Sequence, residues 1–136
     1  MKQAGYSGTP LLQKLGVREG SRMAVIKPPS GFVHSLPSLP IGATLSQRGA
    51  SEADVIVWFI KSSRELEQIG SAIERMPPSS GMLWVAWPKK ASGVVTDLTE
   101  DVIRGVALEA GLVDTKVCAI DETWSGLRLS RRKATT

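Results

Sequence analysis

A chain of 136 residues, 42% hydrophobic and 22% charged, is long enough to bury a core and too apolar to remain disordered. Its single cysteine, Cys118, and single histidine, His34, exclude an internal disulfide and a conventional zinc site, and no apolar run approaches the ~20 residues that cross a bilayer. A net charge of +4, with no recognition helix, zinc knuckle or RNA-binding aromatic motif, does not point to nucleic acid.

These bounds lead us to expect one cytoplasmic domain over residues 1–136, with short flexible N- and C-terminal tails. Much of the positive charge lies near the end, in Arg128, Arg131, Arg132 and Lys133.

Thr9 as N-cap, Pro10 at the first helical position and Gly16 as terminator predict a short first helix, placed over one edge of a sheet. Arg22–Lys27 has the apolar centre of an interior strand. From Pro28 to Ile41 four prolines and three serines leave a loop-rich crossover, with room for one helical turn at Ser30–His34. Ala43–Gln47 alternates apolar and polar residues and reads as an edge strand.

Asp54–Ile60 is a strand buried on both faces. Ser62 stands three residues before Glu65, a capping-box spacing, and Leu66, Ile69, Ile73 and Met76 share one helical face up to Pro77. A second doubly buried strand, Gly81–Pro88, runs directly into Lys89 and Lys90. Asp97 with Glu100 predicts another helix start, with Val102, Ile103, Val106 and Ala110 facing the core and Gly111 as the C-cap. Thr115–Ile120 and Leu127–Ser130 are joined through Asp121–Gly126, too short for a helical crossover, so they form an antiparallel hairpin.

Strands alternating with helices and closing on a hairpin define an α/β fold: a three-layer, Rossmann-like sandwich around a mostly parallel sheet. In such sheets ligands bind at the carboxyl ends of the strands. Lys27, Lys61, Lys89 and Lys90 each follow a central strand, and Ser62 and Ser63 stand at a helix N-terminus on the same edge, where free N–H groups favour an anion. The bland alternative is that these lysines cap strands and stay in water. Trp58 and Trp84 read as core, whereas Trp87 and Trp124, the latter placed in the hairpin loop, are candidates to stack on a ligand. Asp121 and Glu122 read as turn residues, His34 as structural or solvent-facing and Cys118 as an inert thiol, so no catalytic or metal-binding residue is assigned.

The topology resembles the class I methyltransferase-like Rossmann fold, whose helix-linked parallel strands finish in an antiparallel hairpin. Asp54–Pro88 is similar to that fold's second half. The resemblance implies S-adenosylmethionine binding at a glycine-rich loop after the first strand and an acidic residue after the second. This chain instead has Lys27-Pro28-Pro29-Ser30-Gly31 and Gln47-Arg48 there, and no cofactor is assigned.

Longer matches run through Ala4–Leu11, Leu83–Gly93, Asp97–Val102 and Lys116–Leu127. These segments resemble the small bacterial domain-of-unknown-function family three-zero-five-two, with Pro29–Glu52 matching least; that resemblance implies no activity. The expected function is a non-enzymatic module binding an anionic small molecule, a nucleotide or phosphate. The alternatives are a divergent methyltransferase-like enzyme, and an interaction domain whose protein partner docks on an exposed edge or on the Trp124 loop.

Overall fold

The computed structural model describes residues 10–47, 52–77 and 80–132. The apolar runs become strands β1 (Arg22–Ile26), β2 (Thr44–Ser46), β3 (Val55–Phe59), β4 (Met82–Pro88), β5 (Leu112–Ala119) and β6 (Trp124–Arg131). They form one six-stranded sheet in the order β2-β1-β3-β4-β6-β5. β1 to β4 run parallel, and β6 lies antiparallel to both β4 and β5.

Every residue of β3 is buried, and the pleat divides the central strands between two cores. Ala24, Ile56, Trp58, Leu83, Val85, Trp87, Leu127 and Leu129 face one side. Met23, Val25, Val57, Phe59, Trp84 and Trp124 face the other. Helices α1 (Leu11–Leu15) and α2 (Phe32–Ser35) cover this second side. On the first side lie α3 (Ser63–Leu66), α4 (Ile69–Glu74) and α5 (Glu100–Glu109). Trp84 and Trp87 thus point to opposite faces, as their parity requires.

Several sequence expectations are corrected. α1 covers a face of the sheet, not an edge: the carbonyl of Leu15 accepts a hydrogen bond from Nε1 of Trp84 at 2.9 Å, and the Lys14 ammonium reaches the carbonyl of Ala119 in β5 at 3.3 Å. Pro10 is its N-cap, and the expected cap Thr9 lies outside the described residues. Gly16 does end the helix, with φ +91°.

The helix expected from Ser62 to Met76 is two short ones. At Glu67 and Gln68 the bonding tightens to the third preceding carbonyl, Glu67 N–H to Arg64 and Gln68 N–H to Glu65, at 3.2 and 3.0 Å. The apolar stripe survives this break, with Leu66, Ile69 and Met76 all buried. On α5 the buried residues are Ile103 and Ala107, while Val102 and Ala110 are exposed. Its N-cap is Thr99, whose hydroxyl accepts the Val102 N–H at 3.2 Å, not Asp97.

The terminal arginines are built into the fold. Arg131 donates to the carbonyls of Pro77, Ile73 and Met76 at the end of α4, and Arg132 to that of Leu108 at the end of α5. Arg128 sits 6.0 Å over the Trp84 ring. Gly126, opposite Ala86 in the β4–β6 ladder, leaves room for that indole: a Cβ there would lie 3.0 Å from Trp84 Cε3 and 2.9 Å from Ile120 Cδ1. No helix among the described residues is long and apolar enough to cross a membrane.

Candidate functional site

From β1 the chain crosses to β2 at the edge, then returns past β1 to β3. The strand order therefore reverses between β1 and β3, and loops leaving in opposite directions open a crevice there. A cleft of about 570 Å³ occupies this point. One wall is Lys27, Pro28, Pro29 and Ser30 after β1; Phe59 and Lys61 end β3 beside it, and Val94, Thr123 and Trp124 close the far side.

Lys27 turns the chain out of β1 with φ +54°, a left-handed backbone that favours glycine. The turn of a glycine loop is thus present without the glycine, and Pro28 and Pro29 bring no N–H donors to the cleft. The crossover then returns through α2, where Phe32 stacks edge-on to Phe59 with centroids 4.8 Å apart. Phe59 in turn meets Trp124 at 5.0 Å and 87°. This aromatic row fixes one side of the cleft.

Glu65 lies in the cleft wall and is committed to the chain's own donors. Its carboxylate accepts the Lys61 N–H at 2.9 Å and the Ser62 hydroxyl at 3.4 Å, and pairs with the Lys27 ammonium at 3.8 Å. Ser62 caps α3 as its spacing predicted, its hydroxyl accepting the Glu65 N–H at 3.2 Å. The Glu side chain reaches Lys61, one residue before the cap.

The loop after β4 is strapped across the same edge. The Thr96 hydroxyl donates to the Lys61 carbonyl at 2.6 Å. The Asp97 carboxylate accepts the Ser63 N–H at 2.8 Å and its hydroxyl at 2.6 Å, and these two bonds, the hydroxyl's foremost, hold its pKa below the ordinary carboxylate value. The first turn of α3 is therefore already served by an internal carboxylate.

Of the residues singled out from sequence, the cleft brings together Lys27, Lys61 and Trp124. Ser62 lines an adjoining groove, and Ser63 is bonded to Asp97. Lys89 and Lys90 line neither space; the Lys89 N–H is tied to the Thr123 carbonyl at 2.7 Å and Lys90 opens the 3-10 turn Lys90–Ser92. Trp87 is buried on the opposite face.

Trp124 is the first residue of β6, not a loop residue, and is 5% exposed, so it offers no projecting anchor for a partner. Asp121 sets its place as a turn residue, accepting the Thr123 and Trp124 N–H groups at 2.8 Å each. Glu65, Phe59, Val94 and Thr123 were not singled out as site residues; only Glu65 carried a signal, its capping-box spacing. Burial pushes the Cys118 thiol pKa up, in keeping with an inert residue. Among the described residues no cluster of three or more His, Cys, Asp or Glu could hold a metal ion.

The fold is similar to a SAM dependent methyltransferase from Aquifex aeolicus, with TM-score 0.62 and 11% identity over 90% of this chain and 88% of that one. It is also similar to the ribosomal protein L11 methylase of Lactobacillus delbrueckii subsp. bulgaricus, with TM-score 0.59 and 13% identity over 90% and 75% of the two chains. Magnesium protoporphyrin IX methyltransferase (ChlM) from Synechocystis PCC 6803 aligns with TM-score 0.53 and 10% identity over 90% and 78%. At these identities the likeness is one of fold, and it bears out the methyltransferase-like Rossmann topology. No curated protein matches the sequence. A family model covers residues 40–133, spanning Leu83–Gly93, Asp97–Val102 and Lys116–Leu127 and leaving Ala4–Leu11 before it, and the chain belongs to that family, described as "Protein of unknown function (DUF3052)".

Proposed function

We propose that the chain binds an anionic small molecule of nucleotide or phosphate type in the cleft between the carboxyl ends of β1 and β3, and acts as a binding module and not as an enzyme. The observation that carries this reading is the pairing of Lys27 and Lys61 beside the Phe59–Trp124 row at the point where the strand order reverses. The carboxylate nearest them, Glu65, is occupied by Lys61 N–H, Ser62 and Lys27. No hydrogen bond or ion pair engages the Lys61 ammonium among the described residues. An anion would be met there by at least one unneutralised cation.

S-adenosylmethionine itself fits this cleft poorly. The loop after β1 offers prolines where the cofactor would need N–H donors, and Glu65, the cleft's carboxylate, is not free to accept ribose hydroxyls. The neighbouring protoporphyrin methyltransferase is described with bound SAH, an adenosine compound, so an adenosine-sized ligand is within the range of this fold.

Thermal unfolding at constant ionic strength, with AMP, inorganic phosphate, S-adenosylmethionine and S-adenosylhomocysteine, tests the reading. A ligand at ~100 times its dissociation constant stabilises a fold by about 2.7 kcal/mol, several degrees for a chain of this size. A shift with AMP or phosphate that is lost in Lys61→Ala supports the proposal. A shift confined to S-adenosylmethionine moves the conclusion to a methyltransferase-like enzyme, and no shift with any of the four overturns it.

A further inference from the structure

Arg64, Gln68, Ser71 and Arg75 recur at helical spacing along α3, α4 and their flanks, and they share one stripe. The stripe forms the wall of a second groove, of about 520 Å³, floored by Ile26, Trp58 and Ala72. It is open for a topological reason. The β1-to-β2 connection runs through α2 on the opposite face, where Phe32 packs on Phe59, so it adds no helix on the α3–α4 side, where Ala24 of β1 is buried but Ile26 at the strand's carboxyl end is only half-buried.

The groove's chemistry is one-sided. Neither guanidinium has an ion pair or a side-chain hydrogen bond among the described residues, and the groove's carboxylate is again Glu65. Lys27 and Glu65 line both spaces, so their ion pair is the wall between groove and cleft. At 3.8 Å, with the Lys27 side chain 64% exposed, that pair is weak. Glu65 is additionally held by the Lys61 N–H, which leaves Lys27 as the partner free to swing toward an incoming anion.

We propose that this groove is a second phosphate subsite continuous with the first, and that the ligand is a nucleoside bearing two separated phosphate groups, of the 3′,5′-bisphosphate class. One phosphate is taken by Lys61 and Lys27, the other by the planar forks of Arg64 and Arg75, which suit bidentate contact with phosphate oxygens. The proposal rests on the reading of the switch-point cleft given above.

Calorimetric titration of the full chain with adenosine 3′,5′-bisphosphate and with adenosine 5′-monophosphate, at fixed ionic strength, tests it. The wild type is expected to bind the bisphosphate at least ten times more tightly than the monophosphate. Arg64→Ala/Arg75→Ala erases that advantage and leaves monophosphate binding unchanged, while Lys61→Ala weakens both. Melting curves check that the double variant is folded, and Arg64→Gln, at an exposed position, gives the same comparison if it is not. Equal affinities in the wild type, or an advantage that survives loss of both arginines, overturns the second subsite. Monophosphate binding lost in Lys61→Ala, with no bisphosphate advantage, removes the second subsite alone. Binding of neither nucleotide overturns the bisphosphate proposal, and the switch-point reading falls with it if inorganic phosphate does not bind either.

Discussion

Asp97 accepts both the N–H and the hydroxyl of Ser63, across thirty-four residues of chain, at 2.8 and 2.6 Å. A carboxylate from the loop after β4 thus occupies the first turn of the helix after β3, and together with Thr96 it ties these two segments over the carboxyl edge of the sheet. The free anion-binding helix terminus that Ser62 and Ser63 suggested is filled from within, which leaves the lysines to receive any external anion.

This contact makes a pH-dependent contribution to stability. The pKa of Asp97 is depressed in the folded chain, so its contribution is present above the unfolded carboxylate range and is lost as pH falls through the folded value. Asp97→Ala is expected to lower the melting temperature at pH 7 and to lower it by less near pH 3. Paired melting curves at the two pH values decide this; an equal deficit at both would mean that packing, not charge, is responsible.

Trp84 is fully buried, and its Nε1 is the donor to Leu15 that fastens α1 to the sheet. Trp84→Phe keeps an aromatic ring but strands the Leu15 carbonyl, which by itself costs about 1–3 kcal/mol. The expected outcome is a melting point several degrees lower, together with faster hydrogen exchange across α1 than across β3. Uniform exchange rates would show that the bond does not hold α1 specifically.

Lys27 adopts φ +54° without being glycine. Relief of a left-handed conformation is worth roughly 1–2 kcal/mol, offset by about 0.5–1 kcal/mol for the added freedom of glycine when unfolded. Lys27→Gly is therefore expected to be as stable as wild type or up to about 1.5 kcal/mol more so, while binding AMP more weakly. Denaturant unfolding and titration measured on the same sample separate the two effects. A marked loss of stability would show that the Lys27–Glu65 pair matters more than an exposed pair normally does.

The architecture was legible because burial leaves its mark in a linear pattern. The runs Asp54–Ile60 and Gly81–Pro88 are apolar without alternation, as strands covered on both faces must be, and Val55–Phe59 is buried throughout. The short Asp121–Gly126 segment compelled an antiparallel hairpin, and β6 lies so against β5. The break at Glu67 and Gln68 was not legible, because Leu66, Ile69 and Met76 keep helical spacing whether or not the backbone tightens between them.

The site was legible only in part, for the same reason. That Lys27, Lys61, Lys89 and Lys90 follow strands is a local fact, but which of them share a cleft depends on where the strand order reverses. That point lies between β1 and β3, so Lys27 and Lys61 meet while Lys89 and Lys90 lie outside both spaces. Glu65 read as a helix cap and is also the wall between cleft and groove.

By itself the chain determined where most strands and helices lie and that β3 and β4 are buried on both faces, since apolar spacing and capping residues act over a few positions. Only the tertiary structure decided which groups meet: Asp97 at Ser63, Glu65 beside Lys27, Trp124 turned inward onto Phe59. Those contacts depend on strand order and on the path of loops between distant segments, and local spacing along the chain carries no measure of either.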